Sequence, residues 1–238
     1  MGGESILRRA QDHGRIDSRP QMKGDIDTIL LDLGGVLIDV YYERTAHAFA
    51  ALGFSDFDRL YSQAKQDHLF DGFETGALSP ADFRDGVRRL LAPLTPSGGA
   101  QLEDAAIDNC WNAMLGTIPP SRMETVAELR RRYRVLLLSN TNVIHVPAFT
   151  EIIHRENGIT DFKGCFDGAY YSCEIGLRKP DAPSYLHVLE QHGASPERTL
   201  FIDDSIQHVI GARAAGLRAE HLDTGKEDVT SLFARLLA

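Results

Sequence analysis

Five short apolar runs constrain the fold of this chain more than any other feature of its sequence. They occupy residues 26–31, 134–138, 166–171, 199–202 and 217–222. Because they are apolar throughout and do not alternate with polar residues, they are typical of parallel strands buried on both faces. Helical patterns lie between them at 121–132, 183–192 and 205–215. This alternation predicts an α/β fold with a doubly wound parallel sheet.

The segment between the first two runs does not fit this alternation. It contains no convincing strand pattern, and it has helical patterns at 41–52, 55–67, 79–91 and 101–114. A helical module is therefore predicted to interrupt a Rossmann-like core just after its first strand. The predicted organisation is an N-terminal disordered extension at 1–24, an α/β core at 25–40 and 116–238, and a helical insertion at 41–115.

The charge balance and the cysteines limit the partners and the surroundings of the chain. Lys and Arg number 25 and Asp and Glu number 34, so the net charge is -9, without the basic footprint of a nucleic-acid-binding protein. No apolar run approaches the about 20 residues of a membrane span. Three cysteines without a C-x-x-C pair are typical of free thiols in a reducing cytoplasm. We expect a cytoplasmic protein with a small-molecule partner, and neither nucleic acid nor membrane.

Polar residues that could take part in chemistry directly follow three of the apolar runs. They are Asp32 after the first run, Ser139 and Asn140 after the second, and Asp203 and Asp204 after the fourth. Lys179, in the segment 176–180, comes further along the chain after the third run. In open parallel sheets, ligands bind outside the carboxyl ends of the strands. We therefore expect these side chains, which are distant in sequence, to meet at one edge of the sheet.

This set of side chains favours a hard divalent cation. Three carboxylates close together repel each other and shift their pKa values unless a cation lies among them. Oxygen ligands suit Mg²⁺, and the set contains no cysteine or histidine, which argues against zinc. Lys179 and Ser139 would then suit a phosphate whose other oxygens face the metal.

Four motifs, in order along the chain, carry a resemblance to a known family. They are ILLDLGGVL at 29–37, LSNTN at 138–142, RKP at 178–180 and FIDDS at 201–205. In this order they resemble the haloacid dehalogenase (HAD) superfamily of phosphohydrolases, and the resemblance extends over about 25–222. Within the superfamily, the residues around RKP, together with Tyr185 and His145, are most similar to the branch that contains the bacterial α-D-glucose-1-phosphate phosphatase.

The resemblance implies a Mg²⁺-dependent hydrolase of a small phosphorylated metabolite. Asp32 would be the nucleophile and would form an aspartyl-phosphate that water then hydrolyses. Mg²⁺ would be held by Asp32, by the backbone carbonyl of Gly34, and by the pair Asp203 and Asp204. Of this pair, Asp204 is favoured as the direct ligand.

The resemblance also assigns the groups that bind the phosphate and enclose it. Ser139, Asn140 and Lys179 would hold the phosphoryl oxygens and stabilise charge during transfer. The insertion at 41–115 would correspond to the C1 cap of the superfamily, which closes over the site, excludes water and selects the leaving group.

Position 34 departs from the pattern of the superfamily. Most of its phosphatases carry a second aspartate there, which protonates the leaving oxygen and then activates water, whereas this chain has Gly34. General acid–base catalysis contributes about 10²–10⁴-fold, so we expect a substrate with a good leaving group, with a sugar 1-phosphate as the best candidate. Asp39, Glu43 and His47, which follow the first motif, are candidate surrogate acids.

Two other functions stay open from the sequence. A 2-haloacid dehalogenase shares the fold and the nucleophile, lacks the second aspartate and needs no metal. A protein that binds a phosphorylated metabolite in a weakened regulatory site would also tolerate Gly34. A receiver domain is disfavoured, because its carboxylate pair lies on the first strand and it has no counterpart of the insertion.

Overall fold

The computed structural model describes residues 25–54, 68–92 and 102–238. Among them, five strands form one parallel sheet: β1 (Thr28–Leu31), β2 (Arg134–Ser139), β3 (Gly168–Tyr171), β4 (Thr199–Asp203) and β5 (Arg218–His221). Their order across the sheet is β3-β2-β1-β4-β5. The chain moves outward from β1 in one direction and then returns to the other side of β1, as in a doubly wound sheet. The predicted fold class is confirmed, and each predicted run overlaps one strand.

Both faces of the sheet are covered, which explains why its inner strands are apolar throughout. Successive side chains of a strand point to opposite faces. In β2, Val135 and Leu137 join one buried cluster, whereas Leu136 and Leu138 join another. All four side chains are fully buried. Burying one such aliphatic side chain contributes about 1.5–3 kcal/mol, so these runs stabilise the fold from both sides.

The chain between β1 and β2 is helical where the structure describes it. It contains α1 (Tyr42–Ala51), α2 (His68–Glu74), α3 (Pro80–Leu91) and α4 (Asp104–Asn112). Three of the predicted helices correspond to α1, α3 and α4, and the one predicted over 55–67 lies outside the described residues. The start of α3 follows from its sequence, because Ser79 and Asp82 form a reciprocal capping box and Pro80 occupies the first turn.

These helices pack around an apolar cluster of their own, which is rich in aromatic side chains. Phe73 of α2 stacks on Phe83 of α3 with 4.0 Å between ring centroids. Trp111 of α4 lies 5.4 Å from Phe70 in a second stacked pair. Ile144, which lies shortly after β2, belongs to the same cluster. The insertion therefore has its own core and packs against the α/β part near the carboxyl end of β2.

The remaining helices flank the sheet. They are α5 (Pro120–Arg130), α6 (His145–Asn157), α7 (Ser172–Ile175), α8 (Ala182–Gln191), α9 (Ile206–Ala214) and α10 (Val229–Leu236). Of these, α5, α8 and α9 are predicted from the sequence, whereas α6, α7 and α10 are not. Pro147 obscures the first turn of α6, although proline is tolerated there. In α10 the spacing of Val229, Leu232 and Phe233, all buried, is a helical signal that could have identified it.

The structure also bears on two expectations drawn from composition. No helix among the described residues is long and apolar enough to cross a membrane. Cys110, Cys165 and Cys173 all lie in the described part of the chain and are free thiols, as expected.

Candidate active site

Four charged side chains meet where the strand order reverses, at the carboxyl ends of β1 and β4. Asp32 directly follows β1, Asp203 ends β4 and Asp204 follows it. The ammonium of Lys179 lies 2.7 Å from Oδ1 of Asp32 and 2.7 Å from Oδ2 of Asp203. We call Asp32, Lys179, Asp203 and Asp204 the strand-end cluster. Its position is the crevice where open α/β sheets bind ligands.

Lys179 is completely buried and is fixed at both its side chain and its backbone. Burial alone would lower the pKa of its ammonium, but Asp203 and Asp32 outweigh burial and raise that pKa. Asn140 holds the backbone: its Nδ2 donates to the carbonyl of Lys179 at 2.9 Å, and its Oδ1 accepts from the amide of Lys179 at 2.9 Å. The side chain of Asn140 therefore orients Lys179, a role that was not expected from the sequence.

Asp203 is a fully buried carboxylate surrounded by donors. Besides Lys179, it accepts from the backbone amide of Ser205 at 2.7 Å and from Nδ1 of His208 at 3.0 Å. Burial would raise its pKa, but Lys179 and His208 lower it, so the carboxylate stays ionised. These donors satisfy Asp203 within the protein, and they make it a group that positions Lys179 and His208.

For Asp32 and Asp204, nearby positive charge does not outweigh the effect of burial on the pKa. Burial raises the pKa of Asp32 to about 6, against the opposing charge of Lys179. Burial, together with the nearby charges of Asp32 and Asp203, raises the pKa of Asp204 to about 7. Asp204 also lies against the loop after β1, since a Cβ on Gly35 would come 2.1 Å from its Oδ2. The crowding of these carboxylates beside a backbone loop is the donor chemistry that suits a hard dication.

The loop after β1 depends on Gly35 and leaves position 34 without a functional group. Gly35 has a φ of +69°, which favours glycine. A Cβ on Gly34 would lie 3.3 Å from Cγ2 of Val40. None of the candidate surrogate acids Asp39, Glu43 and His47 lines the cavity beside Asp32. Asp39 pairs with Arg122 at 2.8 Å.

A cavity of about 160 Å³ opens beside Asp32 and lies between the sheet and the insertion. Gly34, Ser139, Asn140 and Asp204 line it, while Lys179 and Asp203 lie beneath the lining. The opposite side comes from the insertion: Tyr42, Glu74, Trp111, Met114 and Leu115. We call these five residues the insertion wall.

Two features of the cavity were not expected from the sequence. Glu74 of the insertion wall pairs with Arg178, the neighbour of Lys179, at 2.8 Å. Nδ1 of His208 contacts both carboxylate oxygens of Asp203. The position of His208 four residues after Asp204, on the first turn of a predicted helix, is a usable signal. No pattern around Glu74 marks it.

His145 joins α6 to the insertion. Its ring stacks on that of Trp111 with 5.2 Å between centroids, and its Nδ1 lies 2.8 Å from Oδ1 of Asn112. Burial lowers the pKa of His145 to about 3, so the imidazole is neutral. Trp111 belongs to the apolar cluster of the insertion and also lines the cavity.

Comparison with known proteins points to one family. Residues 26–216 match the family model of the haloacid dehalogenase-like hydrolases. The D-ribitol-5-phosphate phosphatase of Bacteroides thetaiotaomicron is 26% identical over 204 residues, which cover 85% of this chain and 94% of that protein. A sesquiterpene phosphatase of Aspergillus oryzae is 35% identical over 106 residues, which cover 44% of this chain and 50% of that protein.

Solved structures give the same result at the level of the fold. A HAD family enzyme from Bacteroides thetaiotaomicron, crystallised as a variant with magnesium and inorganic phosphate, matches with a TM-score of 0.79 and 33% identity over 87% of this chain and 98% of that chain. The L-2-haloacid dehalogenase of Xanthobacter autotrophicus matches with a TM-score of 0.56 and 23% identity over 83% of this chain and 77% of that chain. The likeness to the dehalogenase extends to the fold alone.

Proposed function

This chain belongs to the haloacid dehalogenase-like hydrolases, and from that membership we propose a Mg²⁺-dependent phosphatase that hydrolyses a small phosphate monoester with Asp32 as its nucleophile. The observation that carries this proposal is the buried ammonium of Lys179, which lies 2.7 Å from Asp32 at the cavity. A carboxylate beside a fixed cation is suited to attack a phosphoryl group whose charge the same cation stabilises. The D-ribitol-5-phosphate phosphatase relative and the magnesium complex of a similar enzyme support it.

The reaction has two displacements at phosphorus. In the first, an oxygen of Asp32 bonds to phosphorus while the bond from phosphorus to the ester oxygen breaks, and the leaving oxygen takes a proton from water. In the second, water attacks the aspartyl-phosphate, which releases phosphate and restores the carboxylate. Lys179 and Ser139 bind the phosphoryl oxygens, and Asn140 keeps Lys179 in place through its backbone.

The metal ligands proposed for Mg²⁺ are Asp32, the backbone carbonyl of Gly34 and Asp204. Burial and neighbouring carboxylates raise the pKa values of Asp32 and Asp204 to about 6 and about 7, so their ionised forms are disfavoured. A bound dication would stabilise those ionised forms. When bound, the ion supplies positive charge to the phosphoryl oxygens during transfer. Asp203, expected from the sequence to share in binding, stays a candidate ligand beside Asp32, and its hydrogen bonds also position Lys179 and His208.

The finer proposal is a sugar 1-phosphate as the preferred substrate. Gly34 supplies no acid to the leaving oxygen, and the cavity lining includes none of the candidate surrogates Asp39, Glu43 and His47. The leaving group of a sugar 1-phosphate is a hemiacetal, which is a better leaving group than an ordinary alcohol. A phosphomutase is disfavoured for the same reason, because it needs an acid and base at a sugar hydroxyl.

A polyol phosphate is the second candidate substrate, and the D-ribitol-5-phosphate phosphatase relative favours it. Its leaving group is a primary alcohol, so it makes a stronger demand on a site without an acid. A 2-haloacid dehalogenase is the weaker alternative, because its reaction has no use for a cation beside Asp204. A phosphometabolite sensor remains the interpretation if turnover is absent.

The deciding experiment measures phosphate release from a panel of sugar 1-phosphates, sugar 6-phosphates and D-ribitol 5-phosphate, with Mg²⁺ and with chelator. We expect release that requires Mg²⁺ and is lost in Asp32→Asn. Release of chloride from a 2-chloro acid without metal would instead establish the dehalogenase. Tight binding of an ester without release would establish the sensor.

The insertion acts in this proposal as the cap over the site. It contributes one wall of the cavity.

The proposed location is the cytoplasm, because the three free thiols suit a reducing compartment.

A further inference from the structure

Glu74 brings a carboxylate into the cavity from the insertion, and its two oxygens have different surroundings. Oε2 accepts from Nε and Nη2 of Arg178 at 3.2 and 2.8 Å. Of the hydrogen bonds between described residues, none ends on Oε1. The side chain is 14% exposed and lines the same cavity as Asp32. One oxygen is thus fixed by Arg178, and the other is an acceptor for a bound molecule.

The charge around Arg178 makes this end of the cavity anionic. Nη1 of Arg178 also pairs with Oδ1 of Asp71 at 2.9 Å. Two carboxylates therefore face one guanidinium, whose charge is already balanced before a ligand enters. Burial raises the pKa of Glu74, and Arg178 opposes that rise and so favours the ionised form. An additional anionic group on a ligand would meet repulsion here.

Comparison with Asp71 shows that an ion pair with Arg178 does not by itself explain why Glu74 lines the cavity. Asp71 lies on the same helix and pairs with the same arginine, but it does not line the cavity. A contact between the insertion and the sheet domain needs only one such carboxylate at the surface. Partly desolvating a second carboxylate in the cavity that contains Asp32 costs free energy. A purely structural contact would not require this second carboxylate.

His145 contributes a second acceptor to the same cavity. Oδ1 of Asn112 can only accept, so Nδ1 of His145 carries the proton of the neutral ring and Nε2 is left as an acceptor. Met114 and Leu115 add apolar surface beside it. The cavity therefore combines two acceptors with an apolar face, which suits hydroxyl groups on a carbon skeleton.

We propose that Glu74 determines the specificity of the cavity for the leaving group. Its Oε1 accepts hydrogen bonds from the hydroxyl groups of an uncharged sugar or polyol, and its charge disfavours a leaving group that carries a carboxylate or a second phosphate. This inference rests on the proposed phosphatase function and deepens it. It identifies the substrate class as neutral, polyhydroxylated phosphate monoesters.

The test compares kcat/KM for D-ribitol 5-phosphate and α-D-glucose 1-phosphate with kcat/KM for phosphoglycolate, whose leaving group carries a carboxylate. A hydrogen bond to a charged group contributes about 1.5–3 kcal/mol, which corresponds to about 10–100-fold. The preference is the ratio of kcat/KM for the better of the two hydroxylated substrates to kcat/KM for phosphoglycolate. In Glu74→Gln we expect this ratio to fall by about 10–100-fold. A change of less than about threefold would overturn the proposal.

Asp71→Asn is the matched control, because it removes the other ion pair of Arg178 without altering the cavity lining. We expect it to lower the substrate preference by less than Glu74→Gln does, because Asp71 does not line the cavity. An equal loss of preference in Asp71→Asn and Glu74→Gln would show that the ion pair with Arg178 acts only by holding the insertion, and would refute the specificity role.

Glu74→Asp distinguishes the effect of the negative charge from the effect of side-chain length. It also provides a second test if Glu74→Gln fails to fold. It keeps the negative charge but withdraws the carboxylate by one methylene, so we expect continued discrimination against phosphoglycolate with weaker binding of the hydroxylated substrate. Retention of full preference in Glu74→Asp would contradict the proposed contact of Oε1 with hydroxyl groups.

A binding measurement distinguishes failure of this inference from failure of the proposed function. Calorimetric titration of Asp32→Asn with the same three esters, in the presence of Mg²⁺, needs no turnover. If the wild type releases no phosphate, the phosphatase is wrong. Glu74 is still supported if adding Glu74→Gln to Asp32→Asn removes the binding preference, and is refuted if it does not.

Discussion

The strand-end cluster and the insertion wall face the same cavity, but they are built differently. In the cluster, Lys179 and Asp203 are completely buried, and every polar group has a partner or a second charge nearby. The wall is mostly apolar and aromatic, with Glu74 as its carboxylate. The cluster is therefore suited to the phosphoryl group, whose charge is the same in every substrate. The wall is suited to the leaving group, which differs between substrates.

The same difference appears in how each region is held. In the cluster, Asp32, Asp203 and Asp204 lie at the ends of β1 and β4, and Lys179 lies after α7. The central strand of this sheet, β1, pairs with β2 and β4. The wall residues come from separate helices and from the ends of helices, packed around their own aromatic cluster. We therefore expect substitutions in the cluster to change catalysis and stability together, and substitutions in the wall to change the choice of substrate.

The largest effect is expected at Asp32. Asp32→Asn keeps the shape of the side chain but removes the nucleophile, and loss of a nucleophile in other enzymes costs up to about 10⁶-fold. We expect at least about 10⁴-fold loss of phosphate release on every substrate. Asp39→Asn, in the same loop region but outside the cavity lining, should stay within about threefold of the wild type. A large loss of phosphate release in Asp39→Asn would instead support Asp39 as a surrogate acid.

Lys179→Met tests whether the cluster also stabilises the fold. It leaves Asp32 and Asp203 facing each other without the ammonium that now lies 2.7 Å from each. Breaking a buried ion pair on one side costs about 3–5 kcal/mol. We expect a loss of that size in urea unfolding of the metal-free protein.

Lys163→Met is the control for this measurement. Lys163 pairs with Glu174 on the surface with 45% of its side chain exposed, and such pairs contribute about 1 kcal/mol or less. Similar losses in the two variants would mean that Lys179 acts only in catalysis.

The sequence predicts the cluster better than the wall for a physical reason. Strand ends are set by local patterns, and parallel strands bring their ends together in any doubly wound sheet. Asp32 and Asp204 could therefore be found from the apolar runs alone, whereas Lys179 lies beyond α7 and not at the end of a strand. The family membership is confirmed. The sugar 1-phosphate preference and the assignment to the glucose-1-phosphate branch stay predictions.

Glu74 and Arg178 illustrate what the sequence does not contain. Their contact joins residues 104 positions apart and depends on how the insertion packs on the sheet domain. No periodicity marks such a contact. Asn140 is a second case, since the sequence suggests a phosphate ligand, whereas its side chain holds the backbone of Lys179 at 2.9 Å. Its partner is 39 residues away.

Gly34→Asp tests the division of roles between the strand-end cluster and the insertion wall, because it adds an acid on the cluster side of the cavity. If the absent acid sets the leaving-group preference, the variant should raise kcat on D-ribitol 5-phosphate relative to α-D-glucose 1-phosphate by about 100-fold, the lower end of the range of general acid catalysis. Because a Cβ at this position would lie 3.3 Å from Val40, the variant is also made with Val40→Ala. An equal change on both substrates would refute the leaving-group hypothesis.

The smallest expected effect is a pH dependence of the stabilisation by Mg²⁺. Without metal, burial raises the pKa of Asp204 to about 7 and that of Asp32 to about 6. Both values lie above the unfolded value of 3.8, so the folded state binds more protons between about pH 4 and pH 7. The contribution of these carboxylates to the free energy of unfolding therefore falls as the pH rises through this window.

Mg²⁺ competes with those protons, so its stabilising effect should grow as they leave. We expect the increase in Tm caused by Mg²⁺ to be larger by a few degrees at about pH 8 than at about pH 5. Taking the difference with and without Mg²⁺ at each pH removes the titration of groups distant from the site. Asp204→Asn should lose most of the increase, whereas Glu74→Gln, in the insertion wall, should keep it. An increase of the same size at both pH values would mean that these two carboxylates do not bind the metal, and would assign the cation to other groups of the cluster.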